Sequence, residues 1–258
     1  MIYNRIGEKY SVHRKADQRI VDKMYSLLDL SKNAVIADIG AGTGNYSNSI
    51  ADNGNLVYAI EPSIKMISQA TYHSNVKWIQ GTAESIPFED STIDGIMVTL
   101  ALHHFQSIET FSREFDRISG NGSVVIFTFD PRTSNEFWLM DYLPSIREQA
   151  FSAFDPIDKI AETITGNRWE YDIIPFALPG DLSDRFMAFG WKHPELYLDA
   201  AIRNSISAFA LADPVLVDKG INNLRKDIES GAWDEKYGSI RIKSRFDGGY
   251  HFIKLQRK

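Results

Sequence analysis

Val35-Ile-Ala-Asp-Ile-Gly-Ala-Gly-Thr-Gly-Asn45 is an apolar run that breaks into three alternating glycines and resumes as a helical pattern. This stretch constrains the fold more than any other. A strand that ends on glycines and re-enters as a helix must turn sharply, and residues without side chains let a ligand reach the main chain. Short apolar runs at 34–39, 56–60, 76–80, 93–100 and 123–129 alternate with helical patterns at 45–52, from Ser63 through Met66 and Ile67, and at 107–118. Before them, residues 17–30 place Ile20, Val21, Met24, Leu27 and Leu28 on one helical face. Repeated strand–helix units predict an α/β fold around a parallel sheet.

After Asp130 the character changes. Residues 134–143 read as an aromatic-rich helix ended or kinked by Pro144, and Asp155-Pro156 as a cap and first turn with Ile157, Ile160 and Ile164 on one face. Residues 171–176 suggest a strand, 181–232 read as helical, and 250–255 suggest a last strand. Within the helical stretch, Asp213-Pro214 opens a helix with Val217, Ile221, Leu224 and Ile228 in line and Gly231 closing it. The alternation of Arg241, Lys243 and Arg245 reads as a solvated edge strand.

Composition removes function classes. The 258 residues carry 28 Lys and Arg against 34 Asp and Glu, a net charge of −6, which opposes a grip on nucleic acid through phosphates. With no cysteine, disulfides, thiolate zinc sites, iron–sulfur clusters and a cysteine nucleophile are excluded. Residues 1–17 are charged throughout and lack the apolar core of a signal peptide, and no stretch approaches a membrane span of about 18 apolar residues. A cytoplasmic protein without a membrane span is the expectation. Oligomeric state is not legible.

Two ligand classes fit a strand–glycine turn–helix. A dinucleotide turn needs Gly or Ala at position 45, where Asn45 stands, with glycine one place earlier. Glu61 lies seventeen residues past Gly44 at the end of the second run, where a carboxylate can take both ribose hydroxyls of an adenosine. The Gly-x-Gly-x-Gly spacing resembles class I S-adenosylmethionine-dependent methyltransferases. Ile60-Glu-Pro-Ser63 with Met66, Gly81-Thr-Ala-Glu-Ser-Ile-Pro-Phe88, Thr99-Leu-Ala-Leu-His-His-Phe105 and Gly120-Asn-Gly-Ser123 extend the likeness over about residues 34–129. Together they are similar to the type 11 group, the ubiquinone/menaquinone-biosynthesis-like methyltransferases.

The resemblance implies a Rossmann-like, mostly parallel seven-stranded sheet with helices on both faces and a helical insertion or lid. It implies S-adenosyl-L-methionine as cofactor and S-adenosyl-L-homocysteine as product. Cofactor contacts carry over to Tyr10, Arg14, Asp38, Gly40, Ala41, Gly42, Gly44, Glu61, Pro62, Met66, Thr82, Ala83, Glu84 and Leu100. Many relatives hold an Asp where Thr82 stands. The expected organisation is a segment 1–30 over the cofactor site, a core at 31–130, an insertion forming an acceptor lid at 131–235 with a core strand near 171–176, and a closing strand in 236–258.

His103 and His104 follow the fourth strand, where a general base for the acceptor would stand, and His104 is the preferred candidate. Structural histidines, one of them capping the helix near Gln106-Ser107, are the alternative. Neither has the i, i+4 partner of a helical zinc site, so no metal is expected. Trp138, Tyr142, Phe151, Phe154, Phe176, Phe186, Phe189 and Trp191 can wall an acceptor pocket or pack as core. The resulting expectation is in-line methyl transfer to a small-molecule acceptor, with no nucleic-acid partner. A binding module without an acceptor and a nicotinamide-dependent oxidoreductase stay open beside it. Against the type 11 likeness, the missing cysteine excludes the covalent route to base C5-methylation and cysteine-dependent arsenic methylation.

Overall fold

The computed structural model describes residues 14–120, 122–133 and 137–258. Helix α1 (Gln18–Leu28) starts where the buried Asp17 carboxylate accepts from the Arg19 amide, and stops where Asp29 turns left-handed at φ 51°. Then follow β1 (Val35–Ile39), α2 (Asn45–Ala51), β2 (Leu56–Glu61), the single turn α3 (Ile64–Ile67), β3 (Val76–Gln80), β4 (Gly95–Thr99), α4 (Ile108–Ser119) and β5 (Ser123–Phe129). The expected strands at 76–80 and 123–129 recur with the same bounds, because each apolar run is closed by turn residues on both sides.

The remainder comprises α5 (Leu139–Tyr142), α6 (Pro144–Ala153), α7 (Ile157–Thr165), β6 (Trp169–Pro175), β7 (Leu178–Pro179), α8 (Ala200–Arg203), α9 (Ser207–Leu211), α10 (Pro214–Ser230), α11 (Ala232–Tyr237), β8 (Arg245–Phe246) and β9 (Tyr250–Arg257). Seven strands form one sheet in the order β3-β2-β1-β4-β5-β9-β6, with β7 and β8 a separate pair. β9 alone runs antiparallel to its neighbours β5 and β6. The chain leaves β1 toward β2 on one side and returns as β4 on the other. Loops therefore diverge at the carboxyl ends of β1 and β4 and leave a crevice, the usual place for a ligand in such sheets.

Strand residues alternate between two apolar layers. Ile36, Met97, Val125 and Phe127 face α1 and α2, while Ala37, Ile96, Val124 and Ile126 face α4 and α7 through Phe111, Phe115, Ile157 and Ile160. α1 is thus a sheet-covering helix. Of the described residues up to 30, Arg14 and Lys15 line the crevice, and the rest of the expected segment 1–30 before them lies outside the described residues.

Five local expectations are corrected. Pro144 opens α6 at its first turn instead of ending a helix, because proline fits the position whose N–H has no helical partner. The helix expected over 134–143 is the four-residue α5, with residues 134–136 outside the described set. α7 is capped from a distance: Asp130 Oδ2 accepts from the Ile157 amide at 3.0 Å, and Asp155 pairs instead with Lys159 at 2.9 Å. Residues 181–193 form turns before a 3-10 segment at Pro194–Leu198, and Arg241 belongs to a 3-10 turn where it pairs with Glu195 and Asp234. With β6 inside it, the insertion leaves the sheet as two excursions. α5 and α6 leave between β5 and α7, and residues 176–249 leave between β6 and β9.

The second excursion is built on buried aromatics, with Trp138 contributed by the first. Trp138, Trp191, Tyr197 and Trp233 are inaccessible, and the two indoles Trp138 and Trp191 donate to the carbonyls of Trp191 and Pro179. Each such ring removes about 150–250 Å² from water, roughly 4–6 kcal/mol before conformational entropy is subtracted. Trp138, Phe189 and Trp191 are therefore core. Among the described residues no helix is long and apolar enough to cross a membrane.

Candidate active site

The crevice at the ends of β1 and β4 holds a cavity of about 310 Å³. Its wall includes Arg14, Asp38, Gly40, Ala41, Gly42, Glu61, Pro62, Met66, Thr82, Ala83, Glu84, Leu100 and His104, all expected from the sequence. Tyr10 lies outside the described residues. Gly44 stands behind the wall at the start of α2. Its φ is +76°, and a Cβ there would meet the Trp78 ring at 2.5 Å, so glycine is required by both conformation and packing. At Gly42, φ +60°, a Cβ would point into open space, with only the Met66 methyl at 3.6 Å. That space is where a ligand can lie against the main chain.

Glu61 ends β2, buried at 5% exposure. Its Oε2 accepts from the Gly42 amide at 3.0 Å and its Oε1 from the Ser63 amide at 2.9 Å. Burial raises its pKa and the two amides oppose the rise. A carboxylate has about four acceptor sites, so two remain for a ligand's hydroxyls. Asp38 is buried one strand away, and its Oδ2 accepts from Ser47 Oγ at 2.5 Å. Desolvation pushes its pKa up to about 7, with the Ser47 hydroxyl lowering it and Glu61 adding to the rise. Asp38 Oδ1 and Thr99 Oγ1, both buried on this wall, have no partner among the described residues. Buried polar atoms rarely stay unpaired, so these orphans mark where a polar ligand completes the site.

Sequence reading missed the residue that ties the wall together. Asp184, 1% exposed, comes from the second excursion. Arg14 grips it through Nε at 2.5 Å and Nη2 at 3.2 Å, and the Tyr46 hydroxyl donates to it at 3.0 Å. Asp17 accepts from the neighbouring Ser183 amide at 3.0 Å. No periodicity signals a contact across 170 residues. Tyr46, Thr43 and Asn45 also line the cavity, and their position just after the glycines was the available signal. Glu84 accepts from the Gln106 amide at 2.6 Å, which joins two rim loops.

Beside the first cavity lies a second of about 180 Å³, and the two share Arg14, Leu100 and His104. Leu100, at φ +52°, is a non-glycine residue in the left-handed region. Its amide donates to Phe127 at 2.8 Å, so the strained turn is anchored in the sheet where the cavities meet. His103 belongs to the second cavity only. The two imidazole centroids lie 3.7 Å apart with their planes inclined at 50°, and the Phe154 centroid is 4.7 Å from that of His103. Burial holds His103 well below the ordinary histidine value, helped by His104 and Arg14, and lowers His104 to about 4. Both rings are therefore neutral at pH 7 and only weakly basic. Neither caps α4, whose N-terminus is held by Ser107 Oγ accepting from the Thr110 amide. Of the aromatics flagged in the sequence, Phe151, Phe154 and Phe186 line this cavity, joined by Phe129, Phe137 and Tyr250.

Residues 37–127 match the profile of the methyltransferase domain family of type 11. Over 95% of its length the chain is 45% identical to a solved structure from Anabaena variabilis, a protein described as a methyltransferase from an antibiotic biosynthesis pathway. It covers 98% of that protein, with a TM-score of 0.91. The chain belongs to the S-adenosylmethionine-dependent methyltransferases. Curated relatives include a malonyl-[acyl-carrier protein] O-methyltransferase of Enterobacter lignolyticus, 27% identical over 154 residues, and a demethylmenaquinone methyltransferase of Corynebacterium kroppenstedtii, 24% identical over 175. The first alignment covers 59% of this chain and 58% of the relative, the second 63% and 76%. This methyltransferase has S-adenosylmethionine as its cofactor, and the unpaired Asp38 oxygen, the open face of Gly42 and the free acceptor sites of Glu61 fit that molecule.

Proposed function

We propose that this methyltransferase acts on a small-molecule acceptor held in the second cavity. The observation that carries the reading is the shared wall: Arg14, Leu100 and His104 face both cavities, so groups on either side meet there. Glu61 takes the ribose hydroxyls, Met66 and Ala83 pack beside adenine, Thr82 and Glu84 flank its edge, and Asp38 takes the ammonium. The bound cofactor supplies a methyl group already activated on a sulfonium. What remains for the protein is to align the acceptor and exclude water.

The apolar wall of Phe129, Phe137, Phe154, Phe186 and Tyr250 suits that task for a partly apolar acceptor. His104 positions the acceptor as a neutral imidazole. A base this weak has little driving force to take a proton near pH 7, which opposes the general-base role expected from its place after β4. A test uses cofactor labelled in the transferable methyl group and a cell extract split by ultrafiltration. Label is expected in the low-mass fraction. Label confined to protein or nucleic acid contradicts the reading.

A further inference from the structure

The second cavity is uneven in charge. Among the described residues its lining has no Asp or Glu, and its only charged side chains are Arg14 and Arg147. Arg14 is committed to Asp184. Arg147 is exposed on α6, its guanidinium 5.7 Å from the Phe151 ring centroid, and it makes no ion pair among the described residues. Phe151 carries a second guanidinium, Arg132 at 5.8 Å, which Asp130 neutralises. Asp141 lies within electrostatic reach of Arg147 but is held by Lys236 and Tyr237, so of the two guanidiniums beside Phe151, Arg147 is the one without a paired carboxylate among the described residues.

Position along the helix sets a length. Phe154, against His103, and Arg147 lie seven residues apart on one cavity wall. From Arg147 to Ala153, the last residue of α6, a rise of 1.5 Å per residue gives about 9 Å, and Phe154 is the extended residue just beyond. Ile146, Ala150 and Phe154 line the wall along that span, and Phe186 and Ile206 also line the cavity, so the span suits an apolar body.

Resting on the acceptor-cavity reading above, we propose that the acceptor is an elongated, mostly apolar acid. Its reacting end lies at Leu100 and His104, its body lies along α6, and its carboxylate or equivalent anionic group is held by Arg147 at the mouth. Guanidinium is suited to this because its fork matches a carboxylate with two parallel hydrogen bonds. A cationic amine has no carboxylate to meet among the described lining residues.

Three probes of one shape test the assignment: 4-phenylbutyrate, 4-phenylbutan-1-ol and 4-phenylbutylamine. Each is titrated calorimetrically into the full chain saturated with S-adenosylhomocysteine, whose own binding is measured first. The acid is expected to bind at least tenfold more tightly than the alcohol, and the amine most weakly. Arg147→Gln should level the three, and Arg147→Glu should reverse acid and amine, with circular dichroism checking the fold of each variant. If the alcohol binds but the acid has no advantage, or the advantage survives Arg147→Gln, the charge assignment falls and the acceptor cavity stands. If S-adenosylhomocysteine binds and no probe does, both fall.

Discussion

The two cavities meet at Leu100 and His104 but are made differently. The first is built mainly from the ends of β1, β2, β3 and β4 and the turns just after them, with the Arg14–Asp184 pair closing it from outside the sheet. The second is walled by the strand end of β5, by α6, and by turns in the long excursion between β6 and β9. Strand ends in a parallel sheet are held by hydrogen bonds on both sides, so their geometry follows from the fold. Excursion walls are held by side-chain packing and can change without disturbing the sheet. The first arrangement suits a ligand common to many relatives, and the second an acceptor that varies between them.

Glu61→Ala tests the first side hardest. Losing a carboxylate that bonds two amides and two hydroxyls, at about 1.5–3 kcal/mol per charged bond, should weaken S-adenosylhomocysteine by two orders of magnitude or more in calorimetry. Binding of 4-phenylbutan-1-ol to the second cavity should change little. If both ligands weaken together, the two sides are not separable.

The shared wall is probed by acid. His104 has a folded pKa near 4, below its unfolded value near 6.5, so on acidification the unfolded chain takes its proton first. The stability held by a neutral His104 is present above about pH 6.5 and is lost between there and pH 4. His104→Gln has no such loss. Urea unfolding should show the variant gaining on the wild type by about 3 kcal/mol from pH 7.5 to pH 4. Parallel curves would mean that the ring is not buried as described.

On the second side, Ala150→Trp fills space between Arg147 and Phe154. It should weaken 4-phenylbutan-1-ol at least tenfold, about 1.4 kcal/mol, and leave S-adenosylhomocysteine within twofold. Loss of S-adenosylhomocysteine binding instead would place the cofactor in that space.

The smallest effect separates local from distant control of one helix. Asp155→Ala should change stability by no more than about 0.5 kcal/mol, because it removes only an exposed i, i+4 pair. Asp130→Ala should cost about 1–2 kcal/mol, because it removes the carboxylate that caps α7. Thermal melts of the two variants decide between them, and equal losses would return the cap to Asp155.

These contrasts also explain what was legible. The glycine turn, Glu61, the helix opening at Asp213-Pro214 and the strand runs are signals carried by a few adjacent residues, and they recur in the structure. Asp184 and the Asp130 cap act across 170 and 27 residues, where only folding brings the partners together. Pro144 was ambiguous in itself, since proline both ends helices and begins them. The histidines were placed correctly after β4, but their weak basicity comes from burial by Phe154 and the surrounding walls, which no local pattern contains.

The central claim is that the cofactor's reacting centre sits at the wall shared by the two cavities. A crystal structure with S-adenosylhomocysteine tests it most directly. The account predicts ribose hydroxyls on Glu61, the ammonium on Asp38, and sulfur beside Leu100 and His104, facing the second cavity. A sulfur turned away from that wall, or an adenosine seated among Phe129, Phe154 and Phe186, would contradict it.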